Sequence, residues 1–336
     1  LASSSSRSVD AAVIVNGAAT AGITDVTVSS DSYFSASRFR LKSSLAATGY
    51  DIWAQDLLQI NIRLSVNGGW VDLLLGNADK ISVDSRENEI TVEGRDLTAR
   101  FIDSQIQQSF ENQTSSDVAT HLASRHNLTP NVTATTSLIG RDFQSNYVRT
   151  LLGQHASNMT EWDLLIRLAE REGYDVWVSQ STLNFVPQTQ DPDPIPLTPG
   201  DCIGLQLEKS CILSAGISVS VKSWDIRGSQ IVSQQAIAQG GGSGSANYTF
   251  IRPNLNAQAA QNYANRMAGL INQRTRTIWA DMPGEATIMP RRGLALTNTG
   301  TDFDNIYAVT SVERHISFAH GFTQSVEATL PSWTTS

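Results

Sequence analysis

The segment Leu58-Gln-Ile-Asn-Ile-Arg-Leu-Ser-Val66 alternates apolar and polar positions with a period of two. On a strand, that puts Leu58, Ile60, Ile62, Leu64 and Val66 on one face and Gln59, Asn61, Arg63 and Ser65 on the other. Asn67-Gly68-Gly69 supplies a turn and residues 70–75 a second strand, so the pattern predicts a hairpin. Residues 80–83 and 89–93, with a polar turn between them, predict another. Earlier strand candidates are 12–15, 23–28 and 36–41. Consecutive short strands separated by turn signals suggest a barrel or a sandwich.

At Gly94 the period changes. Asp96-Leu-Thr-Ala-Arg-Phe-Ile-Asp103 gathers Leu97, Phe101 and Ile102 toward one helical face, with Asp96 where a carboxylate satisfies free amides. It predicts a short helix against the first β part. Thr114-Ser-Ser-Asp117 opens a second helix to about Asn127, with Val118, Ala119 and Leu122 inward. A longer helix is predicted from Thr160 as N-cap, with Glu161 and Asp163 in its first turn. Trp162, Leu165, Ile166 and Ala169 form its apolar stripe, and Gly173 stops it. Residues 174–178 and 183–186 then read as a hairpin, which makes the middle of the chain α/β.

Prolines 187, 192, 194, 196 and 199 favour extended chain over regular structure, so a linker is expected over 191–199. Beyond it, 217–221, 307–318 and 322–330 are strand candidates, and 239–245 is a glycine-rich loop. A helix is expected over about 255–273, with Ala259, Tyr263, Met267 and Leu270 at helical spacing and Pro253 just before it. The reading is therefore mainly β with an α/β insertion: two β-barrel-like parts, 1–103 and 200–336, flank a smaller α/β part over 104–190.

Composition narrows the function classes. A chain of 336 residues fits two or three domains and can bury a sizeable core. With 40% hydrophobic and 17% charged residues it is not a disordered chain. A net charge of −8 does not suit electrostatic binding to duplex phosphates. It suits a surface that DNA passes without sticking, but simple solubility is the favoured account of the charge. No apolar run reaches the length of a membrane-spanning helix, and the serine-rich start lacks the apolar stretch of a signal peptide. Asn112-Gln-Thr114 and Asn158-Met-Thr160 are then chance matches to a glycosylation triplet. The cysteines, Cys202 and Cys211, have no metal-motif spacing; pairing across a hairpin and two buried thiols are both open, and the second is favoured.

Candidate chemistry is sparse. His121, His126, His155, His315 and His320 form no ligand pattern, and ordinary core or surface roles account for them. The loop 240–245 lacks the Gly-Lys-Ser/Thr end of a phosphate loop, and no nucleophile elbow is present. A glycosidase needs two carboxylates across one cleft. Glu161/Asp163 and Glu170/Glu172 are near each other in sequence, but they sit at helix ends, where capping and solvation explain them. Neither cofactor nor metal is expected.

Two stretches carry a family resemblance. One is Ile90-Thr-Val-Glu-Gly-Arg-Asp-Leu-Thr-Ala-Arg-Phe-Ile-Asp103. The other is 114–126, leading to Thr160-Glu-Trp-Asp-Leu-Leu-Ile-Arg-Leu-Ala-Glu-Arg-Glu-Gly-Tyr-Asp-Val-Trp-Val178. Together, over about 88–190, they resemble the hub proteins of contractile phage tails known as late control protein D, whose core also forms the base of the type VI secretion spike. The resemblance implies a structural, non-enzymatic subunit of a tail baseplate in the virion, assembled in the bacterial cytoplasm. It implies a homotrimer with two tube-like β domains per chain, hence a six-domain ring, and an α/β part outside it. The partners it implies are the chain itself, tail tube or tube-initiator proteins, a central spike protein, baseplate wedge proteins and the tape-measure protein, with DNA only in transit and no membrane. Nothing after Leu330 resembles a spike helix or a lysozyme domain, so a separate needle protein is expected.

The polar face Gln59, Asn61, Arg63 and Ser65 then looks either to solvent or, as in tail tubes, to a channel. Ser218, Ser220 and Lys222 are its counterparts in the second β part, and nearby acids should offset Arg63 and Lys222. The alternatives are the hub of a phage-like injection or type VI secretion particle and, from other classes, a cell-wall hydrolase or a carbohydrate-binding adhesin. The seven tryptophans lend the adhesin mild support, but they are scattered and Trp162 sits on a helix's apolar stripe, so core packing explains them better.

Overall fold

The computed structural model describes residues 8–106, 110, 113–136, 138–139, 159–225, 230–238, 246–252, 255, 257–317, 319 and 321–331. Contacts divide the chain into two compact units. The first comprises Leu1–Gln188, Met282–Pro290 and Ser311–Ser325; the second comprises Thr189–Asp281, Arg291–Thr310 and Val326–Ser336.

The first unit begins with β1 (Val9–Val15), β2 (Ala18–Thr20), β3 (Ile23–Asp31), β4 (Arg38–Ser44), the single turn α1 (Leu45–Thr48), β5 (Gln59–Val66), β6 (Gly69–Asp84) and β7 (Glu89–Asp96). Neighbours run β3-β4-β7-β6-β5-β1-β2. Residues Ser311–Ser317 of a later strand pair antiparallel with β3. The apolar positions of these strands converge on one core: Val13, Val15, Val26, Val28, Phe39, Leu41, Ile60, Ile62, Leu74, Ile90 and Val92, joined by Leu58 and Trp53. The alternation predicted for β5 holds at Leu58, Ile60, Ile62 and Leu64, all buried.

The two predicted hairpins share a strand. Residues 70–75 and 80–83 are not separate; β6 is one strand of 16 residues. Its first half pairs with β5 and its second with β7, with register shifts in both ladders. Bulges of this kind bend a strand so that it can serve two partners. At the second shift, a Cβ on Gly94 would lie 2.2 Å from the Asn77 carbonyl oxygen and 2.5 Å from the Phe39 ring. The glycine of the Glu-Gly-Arg-Asp motif is thus where backbone and core aromatic meet.

The α/β part contains α2 (Ala99–Ile102), α3 (Ser115–Arg125), β8 (Thr129–Val132), α4 (Glu161–Glu172), β9 (Tyr174–Ser179) and β10 (Thr182–Pro187), with strands in the order β8-β10-β9. Both long helices start in capping boxes, Thr114 with Asp117 and Thr160 with Asp163. Gly173 ends α4 in the left-handed conformation at φ 72°, as its sequence position implies. Trp162, Leu164, Leu165, Leu168 and Ala169 are buried against Val118, Ala119, Leu122, Val176, Leu183 and Phe185. Leu97 and Phe101 join this cluster and not the core of the preceding strands, contrary to the helix placement expected from sequence. Two indole contacts fasten the loops: Trp162 Nε1 donates to the Phe34 carbonyl at 2.6 Å and Trp53 Nε1 to Thr48 Oγ1 at 3.3 Å.

The second unit contains β11 (Ile195–Leu197), β12 (Gly204–Lys209), the turn α5 (Cys211–Ser214), β13 (Ile217–Asp225), β14 (Gln230–Ala238), β15 (Ala246–Ile251), α6 (Ala257–Gln273), β16 (Arg276–Pro283), β17 (Gly293–Leu296), β18 (Asn305–Ser317) and β19 (Gly321–Thr329). The first unit takes the stretches of β16, β18 and β19 that fall within its bounds. Strands β12, β16, β19 and β18 are successive neighbours, with β17 on β18 and β11 on β17.

The proline-rich stretch is not wholly irregular: Ile195–Leu197 pairs parallel with β17. Proline is compatible with an edge strand, where its missing N–H interrupts no ladder. Asp191 clips the stretch in place, accepting from Gly293 N at 2.9 Å and Arg292 Nε at 2.6 Å. Burial works against its charge, but the amides of Gly293 and Asp193 and the Arg292 guanidinium prevail and hold its pKa below the carboxylate norm.

Strand β13 lies between antiparallel β14 and parallel β15. One face of this sheet, Ile217, Val219, Val221, Val232 and Ala236, packs on Ala260, Ala264 and Ala268 of α6. The predicted stripe is therefore displaced: Tyr263, Met267 and Leu270 are only half-buried, because small residues let the helix sit close on the sheet. Ala259's side chain, Pro253 and the loop 239–245 lie outside the described residues.

Strands dominate, as expected, but among the described residues the sheets are open and the expected barrels do not close. Gly94→Ala is expected to destabilise the protein by about 1–3 kcal/mol, the usual cost of overpacking. Thermal unfolding of the variant beside the parent checks this; an unchanged midpoint would show that Phe39 and β6 can yield.

Candidate interaction surface

The polar side of β5 is shorter than its alternation implies. Gln59 is exposed and Asn61 and Arg63 are half-buried, but Ser65 is only 2% exposed. The ladder to β6 shifts register between Ile62 and Arg63, and beyond that point Leu64 and Ser65 are both buried. Arg63 is offset by an acid, as expected. Its Nε lies 2.8 Å from Asp72 Oδ1, Asn61 Nδ2 donates to the same oxygen at 3.2 Å, and its guanidinium lies 5.6 Å from the Trp70 ring centre.

A broader polar face lies on the neighbouring strands of the first unit. Pairing sets His315, Thr27, Arg40, Glu93 and Lys80 in one row across five strands. A second row runs Ser317, Asp25, Lys42, Thr91 and Ser82. Lys42 reaches Glu89 at 3.0 Å, Arg40 reaches Glu93 at 3.5 Å, and His315 Nε2 reaches Asp25 at 3.3 Å. Arg95 holds Asp79 and Asp103 at once, at 2.7 and 2.9 Å. Exposed pairs such as these add little stability, about 0–1 kcal/mol each, so the face is better read as solvated polar surface than as a brace. The alternation Arg38-Phe-Arg-Leu-Lys42 announces this face in the sequence.

In the second unit, Ser218 is 7% exposed and accepts from Gln235 Nε2 at 2.6 Å, whereas Ser220 is half-buried and Lys222 exposed. The side chain of Asp225, the acid nearest to Lys222 in the chain, lies outside the described residues. The Lys222 face of the sheet also carries apolar groups that the sequence reading did not single out. Trp224, Ile231, Ile237 and Ile251 are 52%, 73%, 69% and 79% exposed. Pairing places Trp224 beside Ile231, Lys222 between Ser233 and Ile251, and Ser218 between Ile237 and Asn247.

The carboxylates considered for catalysis have structural engagements. Glu161 is fully buried; Arg125 Nη1 donates to its Oε1 at 2.6 Å, and His126 Nε2 lies 2.5 Å from its Oε2. Asp163 completes the helix cap, and Glu172 accepts from Ser115 Oγ at 2.6 Å. Among the described residues no group of three His, Cys, Asp or Glu side chains could hold a metal ion. His155 and His320 lie outside the described residues. Both cysteines are free thiols, and Cys211 is exposed at the start of α5, so the expectation of two buried thiols fails there. Burial, together with Asp201 and Asp281, pushes the Cys202 thiol up.

No protein-family model matches the sequence, and no curated protein does. Solved structures do resemble it. A tail protein from Neisseria meningitidis superposes with a TM-score of 0.72 at 15% identity, covering 96% of each chain. The 43 kDa tail protein of prophage MuSo2 from Shewanella oneidensis gives 0.70 at 15% identity, covering 97% of this chain and 99% of that one. An Escherichia coli component of the type VI secretion system, described as similar to T4 tail proteins gp27 and gp5, gives 0.59 at 11% identity, covering 96% and 77%. The chain has the β-rich fold of phage tail proteins. Along nearly its whole length, it is the fold of these two tail proteins that it adopts.

Arg314 was passed over in the sequence and stands out in the fold. It is 0% exposed, and Nη2 donates to the Ile288 carbonyl and lies 3.4 Å from Met289 Sδ. Among the described residues, Nε and Nη1 have no hydrogen-bond partner. Burial pulls its pKa down to about 10, with Glu285 opposing. Since a buried charge without an ion-pair partner is costly, Arg314→Met is expected to stabilise the protein by about 1–4 kcal/mol. Denaturant unfolding checks this, and a lower midpoint for the variant would show that the guanidinium is better accommodated than its contacts indicate.

Proposed function

We propose that the chain is a structural hub subunit of a phage tail baseplate: three copies form a ring that joins the tail tube to a central spike and lets DNA pass. The observation that carries this reading is the match in fold to two phage tail proteins across nearly the full length of both partners. Two compact units, each with a core of its own, support a reading of two building blocks per chain, the number that a six-domain ring needs. The proposed partners are further copies of the chain, tube or tube-initiator, spike, wedge and tape-measure proteins, and the proposed location is the virion. Of the channel-lining set, Gln59, Asn61, Arg63, Ser220 and Lys222 remain available; Ser65 and Ser218 are covered by their own chain. The fold match to a type VI secretion component keeps a second reading alive, the hub of a secretion or injection particle.

Imaging of the assembled particle should show three copies of the chain at the level between tube and spike. One copy or six at that level would overturn the ring.

The role is structural and not catalytic: the candidate carboxylates are engaged in caps, a buried ion pair and side-chain hydrogen bonds. Purified protein should therefore release no reducing ends from peptidoglycan. Release that vanishes in Glu161→Gln or Glu170→Gln would show a hydrolase.

A further inference from the structure

Most sheet edges among the described residues are blunted. A free strand edge presents unpaired N–H and C=O groups, which proteins protect by shortness, proline or charge. Among the described residues, β2 has three residues, β8 carries Pro130, β9 carries Asp175, β11 carries Pro196, and β12 ends in Glu208 and Lys209. The sheet β14-β13-β15 differs. Its edges, Gln-Ile-Val-Ser-Gln-Gln-Ala-Ile-Ala over Gln230–Ala238 and Ala-Asn-Tyr-Thr-Phe-Ile over Ala246–Ile251, contain no charged residue, proline or glycine. At about 3.4 Å per residue they run for roughly 30 and 20 Å, and on β14 the Gln235 carbonyl already accepts from Gln261 Nε2 at 3.1 Å. Their outward side chains include Ile231, Ile237 and Ile251, each more than two-thirds exposed.

We propose that the open edges of β14 and β15 are strand-pairing surfaces for neighbouring copies of this chain. The second copy is favoured because both edges of one sheet lack a strand partner among the described residues. A single foreign strand would cover one of them. A cyclic assembly, in which every subunit has a neighbour on each side, covers both. Pairing would also bring the exposed isoleucines at the sheet margins against neighbouring side chains, which explains apolar groups on a face that otherwise carries Trp224, Lys222 and uncharged polar residues. This inference rests on the ring proposed above and adds the strands that make its contacts.

The test is native mass measurement and amide hydrogen exchange on the full chain over a concentration series, with Ile231→Lys/Ile237→Lys and Thr249→Lys as variants. These positions are exposed, so the variants should melt like the parent. The parent should shift from monomer to trimer as concentration rises. In the trimer, β14 and β15 amides should exchange at least tenfold more slowly than in the monomer, and either variant should remain monomeric where the parent is trimeric. A parent that stays monomeric throughout would overturn the self-assembled ring and this inference together. A parent trimer whose β14 and β15 amides exchange at the monomer rate, or variants that assemble as well as the parent, would overturn the edge assignment and leave the ring standing. Slowing confined to one edge, and seen only after a tube protein is added, would assign that edge to the other protein and overturn the inference.

Discussion

Strand side chains alternate between two faces, so a sheet can bury one set and must leave the other for water or a partner. The architecture of both units depends on this constraint. In the first unit, one face of six strands closes on a core from Val13 to Val92, and the opposite face becomes rows of paired charges. In the second, α6 covers one face of β13, β14 and β15, and the uncovered face keeps exposed isoleucines and a tryptophan. Buried faces make the protein stable; open faces and edges are where an assembly protein can make contacts.

The α/β part follows the same economy with a different period. Capping boxes at Thr114 and Thr160 fix where the helices start, and a single apolar stripe on each meets β9 and β10. Glu161, a buried acid of this part, is tied to Arg125 on α3 and to His126, the residue that caps it, so the start of one helix is locked to the end of the other. Breaking such a pair leaves a charge stranded, which favours geometric uniqueness over raw stability. Arg314 is the contrasting case, a buried guanidinium of which Nη2 meets a carbonyl and a sulfur while Nε and Nη1 find no partner among the described residues.

Much of this was legible in the sequence because it is set by neighbours along the chain. Period-two alternation fixed the buried face of β5, and the N-caps and Gly173 fixed the helices of the α/β part. What the sequence could not show was decided by residues distant along the chain. Whether two strand segments are one bent strand depends on which partners each half finds, and β6 found two. Whether a polar alternate position faces water depends on what covers it, and Ser65 and Ser218 are covered. Whether Leu97 and Phe101 pack on the sheet or the helices depends on which core lies nearer, and the helices claimed them. Local pattern determines element type and the side that must be buried, because those are properties of successive dihedrals and side chains. Register, closure, coverage and the state of each edge are properties of packing, and only the tertiary structure decides them.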